Sequence, residues 1–313
     1  MPKETDIILN RCMGLKEKDS VLIITDSKLR KIADGFLESA SKITDKAELE
    51  EIPIAEVSGQ EPPEDIARDM LNYSVIILVT TKSLSHTNAR KNASKNGARI
   101  ASLPTVTEDI LKRCIDIDYN KLEKNAKKIT KMLTNGKKVK ITAKKGTNIE
   151  FSIAGRKAVG DDYGIYNKKG DFGNLPAGES FIAPVEGTAN GCFVADASFA
   201  SIGKLEKSIK IAVEKGFATK IEGDNGKISA LLDKNGNDAR NIAEFGIGLN
   251  EKAKISGSVL EDEKVLGTCH IALGNNSGFG GKVNVPLHLD GVIQRPTIEI
   301  DGKKIMEEGK FLI

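Results

Sequence analysis

Tryptophan is absent from this chain of 313 residues, and aromatic residues make up only 4% of it. Proteins that bind single-stranded nucleic acid stack bases on aromatic platforms, so this composition argues against that class. The basic residues argue the same way. Lys and Arg number 47 against 44 Asp and Glu, and the lysines are scattered or paired, as at Lys127–Lys128 and Lys137–Lys138, with no stripe to track a phosphate backbone. Long apolar runs are also missing. Val21–Ile24 and Val75–Val79 are strand-length, far short of the ~18 residues that cross a bilayer. Residues 1–6 carry no signal-peptide core. The expectation is a cytoplasmic protein that binds neither nucleic acid nor membrane.

Cysteine is sparse, at positions 12, 114, 192 and 269, with no CxxC spacing and too few residues for a disulfide framework, so buried free thiols are expected. No GxGxxG follows a strand and no GxxxxGK[ST] occurs, which removes the usual dinucleotide and triphosphate sites. No serine sits in GxSxG and no cysteine has a convincing partner, so nucleophilic catalysis is a poor reading.

What is present divides into two textures. Through about residue 115, strand and helix alternate: the apolar spacing predicts strands over 20–25, 47–54, 74–80 and 98–103, and helices over 6–12, 28–40, 64–71, 86–96 and 107–114. Ser85 is the expected N-cap of the fourth helix and Gly97 its C-terminal stop. Alternation of this kind predicts an α/β fold with a doubly wound parallel sheet. Asp26 follows a strand end, where such sheets place ligands, but one Asp is weak evidence. An amphipathic helix over 119–133 then leads to Asn135-Gly136. Beyond it glycine becomes frequent and period-two patterns replace helical ones, with residues 203–215 a candidate exception. The expected organisation is an α/β domain over 1–135 and a β-rich, metal-binding catalytic domain over 136–313.

Histidine is the scarce residue that carries the chemistry, at 86, 270 and 288. In Pro286-Leu-His-Leu-Asp-Gly291, His288 and Asp290 share one face of a strand about 7 Å apart, while Leu287 and Leu289 turn to the core. His270 lies in Gly267-Thr-Cys-His-Ile-Ala-Leu-Gly274, ahead of a Gly/Asn-rich loop that could join two strands. His270, His288 and Asp290 together could form a facial triad for one divalent metal. Glu179 and Glu244 lie among small and apolar residues, where a carboxylate is costly to bury without a cation. With only His270, His288 and Asp290 as ligands, one divalent ion leaves a charge of about +1. Adding Glu179 and Glu244 drives a single ion to about −1, whereas two ions with a bridging hydroxide come out neutral. Convergence of all five residues would therefore favour two divalent ions, with Zn, Co or Mn suiting mixed N/O donors.

In this order Leu175-Pro-Ala-Gly-Glu179, Gly187-Thr-Ala-Asn190, Glu244-Phe-Gly-Ile-Gly-Leu-Asn250, Gly267–Gly274 and His288-Leu-Asp290 resemble the M29 family of thermophilic metallo-aminopeptidases, the aminopeptidase T/S group; Ser83–Arg90 adds to the likeness. The resemblance implies a cytoplasmic homodimer acting on peptide substrates, with Glu179, Glu244, His270, His288 and Asp290 holding two metal ions. A shared hydroxide would attack the first peptide carbonyl, and Glu179 or Glu244 would shuttle the proton. The chain is shorter than those peptidases, and no tyrosine follows Tyr166, so Asn276 or Ser277 would have to supply an oxyanion donor. A relative with the same look, the iron-dependent dihydroxypyridine ring-cleaving dioxygenase, offers an alternative. It would use a single Fe(II) held by His270, His288 and Asp290, and its shorter length fits this chain better. His86 would then act as an acid or base from the first domain. A metal-binding protein without turnover is a third reading.

Overall fold

The computed structural model describes residues 2–160 and 162–312. The chain forms two compact units, one of residues 1–119 and 162–177, the other of residues 120–161 and 178–313.

The first unit carries a five-stranded, all-parallel sheet in the order Ala47–Glu51, Val21–Thr25, Val75–Val79, Arg99–Ser102, Phe172–Asn174. The order reverses between Val21–Thr25 and Val75–Val79, as in a sheet wound in both directions. Those two strands are buried at every position, which is why they read as unbroken apolar runs. Leu22, Ile24, Ile76, Leu78 and Ile100 join Ile66, Met70 and Leu84 in one core cluster. Helix Arg30–Ser41 turns Ile32, Ala33, Phe36 and Ala40 inward at helical spacing.

Helix Asn88–Lys95 begins two residues later than the sequence spacing predicts. Thr87, not Ser85, is its N-cap, its hydroxyl accepting the Arg90 N–H at 3.2 Å. The Ser85 hydroxyl is committed elsewhere, donating 2.9 Å to Ser102 Oγ in the core. Gly97 does stop the helix, at φ +100°. Asp26 holds two strand ends together, accepting from the Thr81 hydroxyl at 2.8 Å and the Lys28 N–H at 3.1 Å.

The second unit is antiparallel. An eight-stranded sheet runs Phe217–Glu222, Ile209–Glu214, Asn190–Ala195, Asn148–Ser152, Lys138–Thr142, Thr297–Ile300, Lys303–Glu307, Lys310–Phe311. A six-stranded sheet runs Gly203–Lys204, Ser198–Phe199, His288–Gln294, Thr268–Gly274, Ile242–Gly248, Glu179–Ile182. The candidate helix over 203–215 is not one: Ile209, Ile211 and Val213 are buried alternately with half-buried or exposed neighbours, a period of two that a strand satisfies. Helix Tyr119–Asn135 buries Leu122, Ala126, Ile129 and Leu133, and Ser180 Oγ donates 3.1 Å to the Ala126 carbonyl. Phe151 and Phe245, from the two sheets, meet edge to face with ring centres 5.5 Å apart. Cys12, Cys114 and Cys269 are buried free thiols and Cys192 is half-buried. Among the described residues no helix is long and apolar enough to cross a membrane.

Candidate metal centre

Four adjacent strands of the six-stranded sheet build one polar face. On Ile242–Gly248 an extra residue intervenes between Ile242, opposite Leu273, and Glu244, opposite Ala272. From Glu244 onward the pairing is regular, so alternation puts Glu244 on the same face as Gly246 and Gly248, while Phe245 and Ile247 point to the core. On Thr268–Gly274, His270 faces that way and Cys269 the other, as period-two alternation requires. Asp290 lies opposite Ala272 and His288 opposite Gly274 on the next strand. Glu179 enters from the edge, paired with Gly248.

The small residues make room. A Cβ on Gly246 would stand 2.0 Å from His270 Nε2, so the imidazole lies over that glycine. A Cβ on Gly248 would meet the Val265 carbonyl at 2.2 Å and the Glu263 carbonyl at 2.9 Å. Glycine therefore admits both the ring and the segment carrying Glu263 and Lys264.

Three donor groups result, each with ligand atoms within 4.8 Å of one another: Glu179, Glu244 and His270; Glu244, His288 and Asp290; Glu263, His270 and Asp290. All five residues singled out in the sequence are thus brought together, and Glu263 joins them. His270 Nε2 lies 3.2 Å from Glu244 Oε1 and 3.3 Å from Glu179 Oε2. His288 Nε2 lies 3.4 Å from Asp290 Oδ1 and 3.5 Å from Glu244 Oε2. His288 Nδ1 donates 2.9 Å to the Asn275 carbonyl, which leaves Nε2 facing the carboxylates.

Lys264 was not legible as a site residue. Its side chain is fully buried, and Nζ donates to Glu179 Oε1 at 2.6 Å and Glu263 Oε1 at 2.7 Å. In the sequence, Glu261-Asp-Glu-Lys264 has the look of a solvated charge run. In the structure Glu261 accepts the Lys254 N–H and Asp262 the N–H groups of Ser256 and Gly257, which folds the run inward.

So many buried carboxylates demand positive charge. Burial disfavours the imidazolium of His270, but the hydrogen bond to Glu244 and the charges of Glu179 and Asp290 outweigh it and lift its pKa to about 9. Burial works against His288 likewise, and Asp290 and Glu244 raise it to about 10. Asp290 is held down at about 2, its own burial being outweighed by His288. Burial pushes Glu244 up and Glu263 up to about 8. Glu179 Oε2 is buried and makes no hydrogen bond. A face of imidazole and carboxylate donors that must otherwise recruit protons fits a divalent cation.

The remaining expected residues are placed differently. Asn276 is fully buried and braces its own loop, donating to Glu186 Oε1 at 3.1 Å and accepting the Val283 N–H at 2.9 Å. Ser277 Oγ bonds Asn275 Oδ1 at 3.0 Å. His86 is an exposed residue of the first unit, in the turn before Asn88–Lys95.

A family model described as NicX, 2,5-dihydroxypyridine 5,6-dioxygenase, matches residues 9–313. The 2,5-dihydroxypyridine 5,6-dioxygenase of Pseudomonas putida is 25% identical over 249 residues, covering 74% of this chain and 70% of that protein. The solved structure of the P. putida 2,5-dihydroxypyridine dioxygenase aligns with a TM-score of 0.85 at 20% identity, over 99% of this chain and 96% of that one. AmpT from Thermus thermophilus aligns with a TM-score of 0.75 at 16% identity, over 100% and 98% of the two chains.

The aminopeptidase likeness is therefore one of fold alone. The expectations of a metallo-aminopeptidase, a hydrolase and protease, and of M29 membership are overturned by the family match. Both solved structures share the fold of this chain, so a likeness of fold does not carry the activity. The chain belongs to the 2,5-dihydroxypyridine 5,6-dioxygenase family.

Proposed function

We propose that this chain is a single-iron, ferrous dioxygenase that opens a dihydroxypyridine ring. The family match through residues 9–313 carries the reading, and the donor set supports it. Asp290 falls in one donor group with His270 and in another with His288, so the residues of a two-histidine, one-carboxylate site are at hand. When bound, ferrous iron supplies a Lewis acid for the substrate's hydroxyl oxygens and the electrons that engage dioxygen.

The chain's own residues do the rest. The Asn275 carbonyl fixes the His288 ring through Nδ1 and so aims Nε2 at the ion. Glu244 stands between the two imidazoles, and its burial favours the protonated form; it would hold the proton that a ring hydroxyl loses. Glu179, Glu244, His270 and Asp290 are each less than a tenth exposed, which keeps bulk water from their donors. The His288 side chain, 30% exposed, marks the side from which a substrate would come.

The test is oxygen uptake. Protein loaded anaerobically with one equivalent of Fe(II) should consume dioxygen in proportion to the loss of 2,5-dihydroxypyridine, and should release no p-nitroaniline from amino-acyl p-nitroanilides. Iron-loaded protein that leaves both dioxygen and the pyridine untouched would refute the reading.

A further inference from the structure

Two aromatic rings border the metal face without joining the core. Phe181 lies opposite Gly246, on strand Glu179–Ile182. Residues directly across an antiparallel pair share one side of the sheet, so Phe181 stands on the side of Glu179 and of the His270 ring over Gly246. Phe279 comes from the loop between the strands of His270 and His288, in the short turn Ser277–Phe279. Its ring centre lies 5.4 Å from that of Phe181 and 6.1 Å from that of His288, edge to face at 82° in both cases. Phe151, Phe193, Phe199 and Phe245 of the same unit are fully buried, whereas Phe181 and Phe279 are half-buried.

The loop is tied down on both sides of Phe279. Glu186 accepts from Asn276 Nδ2 at 3.1 Å and from the Lys282 N–H at 2.8 Å. Arg156 bonds both Glu186 and the Gly280 carbonyl. Asn275 Nδ2 donates 2.8 Å to the Val285 carbonyl, while the Asn275 carbonyl takes His288 Nδ1. The loop that fixes the His288 ring therefore also fixes the phenyl ring beside it.

We infer that Phe279, backed by Phe181, is a specificity residue for the organic substrate: an aromatic wall beside His288 that takes a planar, unsaturated ring and disfavours its saturated counterpart. This deepens the dioxygenase reading and rests on it for the arrival of substrate at the metal face.

The chemistry supports the assignment. The carboxylates and imidazoles of the face recognise charge and hydroxyl oxygens, but not the flatness of a ring; apolar and aromatic walls do that in small-molecule sites. Aromatic pairs gain beyond the apolar area they bury, in edge-to-face or offset geometry, and a puckered ring forgoes that gain. Phe279 and Phe181 stand nearly perpendicular, so together they offer both an edge and a face. The His288 side chain is 30% exposed, and a ring arriving on its side meets Phe279.

The test reads binding without turnover. Protein loaded with Zn(II), which has no redox chemistry, is titrated by calorimetry under argon. The probes are 2,5-dihydroxypyridine and 5-hydroxypiperidin-2-one, a saturated ring with oxygens at the same positions. Wild type should prefer the pyridine. Phe279→Leu keeps apolar bulk and should weaken pyridine binding about 3–10-fold, with little change for the piperidinone and none in Zn(II) content. Phe279→Tyr should retain the preference, and Phe181→Leu should narrow it as Phe279→Leu does. Wild type that binds the two probes equally, or neither, overturns the inference whatever the variants do. So does a Phe279→Leu protein that keeps the wild-type ratio, or one that loses Zn(II), since the ring would then serve only the fold. Wild type that prefers the pyridine but, as the iron form, consumes no dioxygen with it would refute the dioxygenase reading and leave this inference standing. An active iron form whose Phe279→Leu variant keeps the wild-type KM would refute this inference alone.

Discussion

Gly246 lies beneath the His270 imidazole so closely that a Cβ at this position would stand 2.0 Å from Nε2 and 2.2 Å from Cε1. The ring is fully buried, so it has nowhere to retreat. Gly246→Ala should displace His270 from Glu179 and Glu244, weaken divalent-metal affinity by about 10–100-fold and cost about 1–3 kcal/mol of stability through overpacking. Titration calorimetry with Mn(II) and a denaturant melt check both. Affinity equal to wild type would mean that the ring position does not matter.

Metal uptake should release protons. In chelated protein His270 and His288 keep their protons until about pH 9 and about pH 10. An ion that takes their Nε2 atoms at pH 7.5 must therefore displace up to two protons, and the number should fall as pH rises through those values. Calorimetry in buffers of different ionisation enthalpy counts them.

The same pair sets the pH dependence of the metal-free fold. Both histidines have folded pKa values above the unfolded 6.5, so their contribution is fully present below pH 6.5 and is lost as pH rises toward about 9 and about 10. Glu263, raised to about 8, shifts stability in the same direction. The Tm of chelated protein should fall steadily from pH 6.5 to 10, and saturating metal should flatten the decline. A Tm that rises over that range would contradict the charge pattern.

Phe245 is a control on the opposite face of the Glu244 strand. It packs edge to face on Phe151 across the two sheets of the second unit. Phe245→Ala should cost about 3–5 kcal/mol, yet leave the number of bound ions unchanged, because the Glu244 side chain points the other way. Denaturant unfolding and elemental analysis separate these outcomes.

Thr87→Ala should cost about 1 kcal/mol through loss of the cap on Asn88–Lys95. Metal content should not change, since the donor groups lie wholly in the second unit. Thermal melting alongside elemental analysis tests the pair of statements.

Much of the architecture was legible from spacing. The buried strands Val21–Thr25 and Val75–Val79 are apolar at almost every position, and the His288–Asp290 alternation puts both side chains on one face. Five of the metal-face residues could be named because each is a polar residue in apolar or small-residue surroundings. Glu263 and Lys264 could not, since a charge run such as 261–264 has the composition of a surface and is turned inward only by distant backbone donors at 254, 256 and 257. The choice of Ser85 as a cap failed because Thr87, two residues on, satisfies the same local rule, and the Ser85 hydroxyl is taken by Ser102 instead. The activity was misread for a different reason. The chain aligns over nearly its whole length with solved structures of both enzyme types, so a resemblance of fold could not separate them.

The parallel sheet of the first unit ends on Phe172–Asn174, a strand delivered only after the chain has passed through residues 120–161 of the other unit. A growing polypeptide therefore cannot finish this sheet when residue 119 emerges. Until residue 174 follows, Arg99–Ser102 is an open border with unpaired backbone groups, ready to pair with the wrong neighbour. A fragment cut at 119 inherits that border permanently, so the unit that comes first in the sequence is not a segment that can be excised and expected to behave.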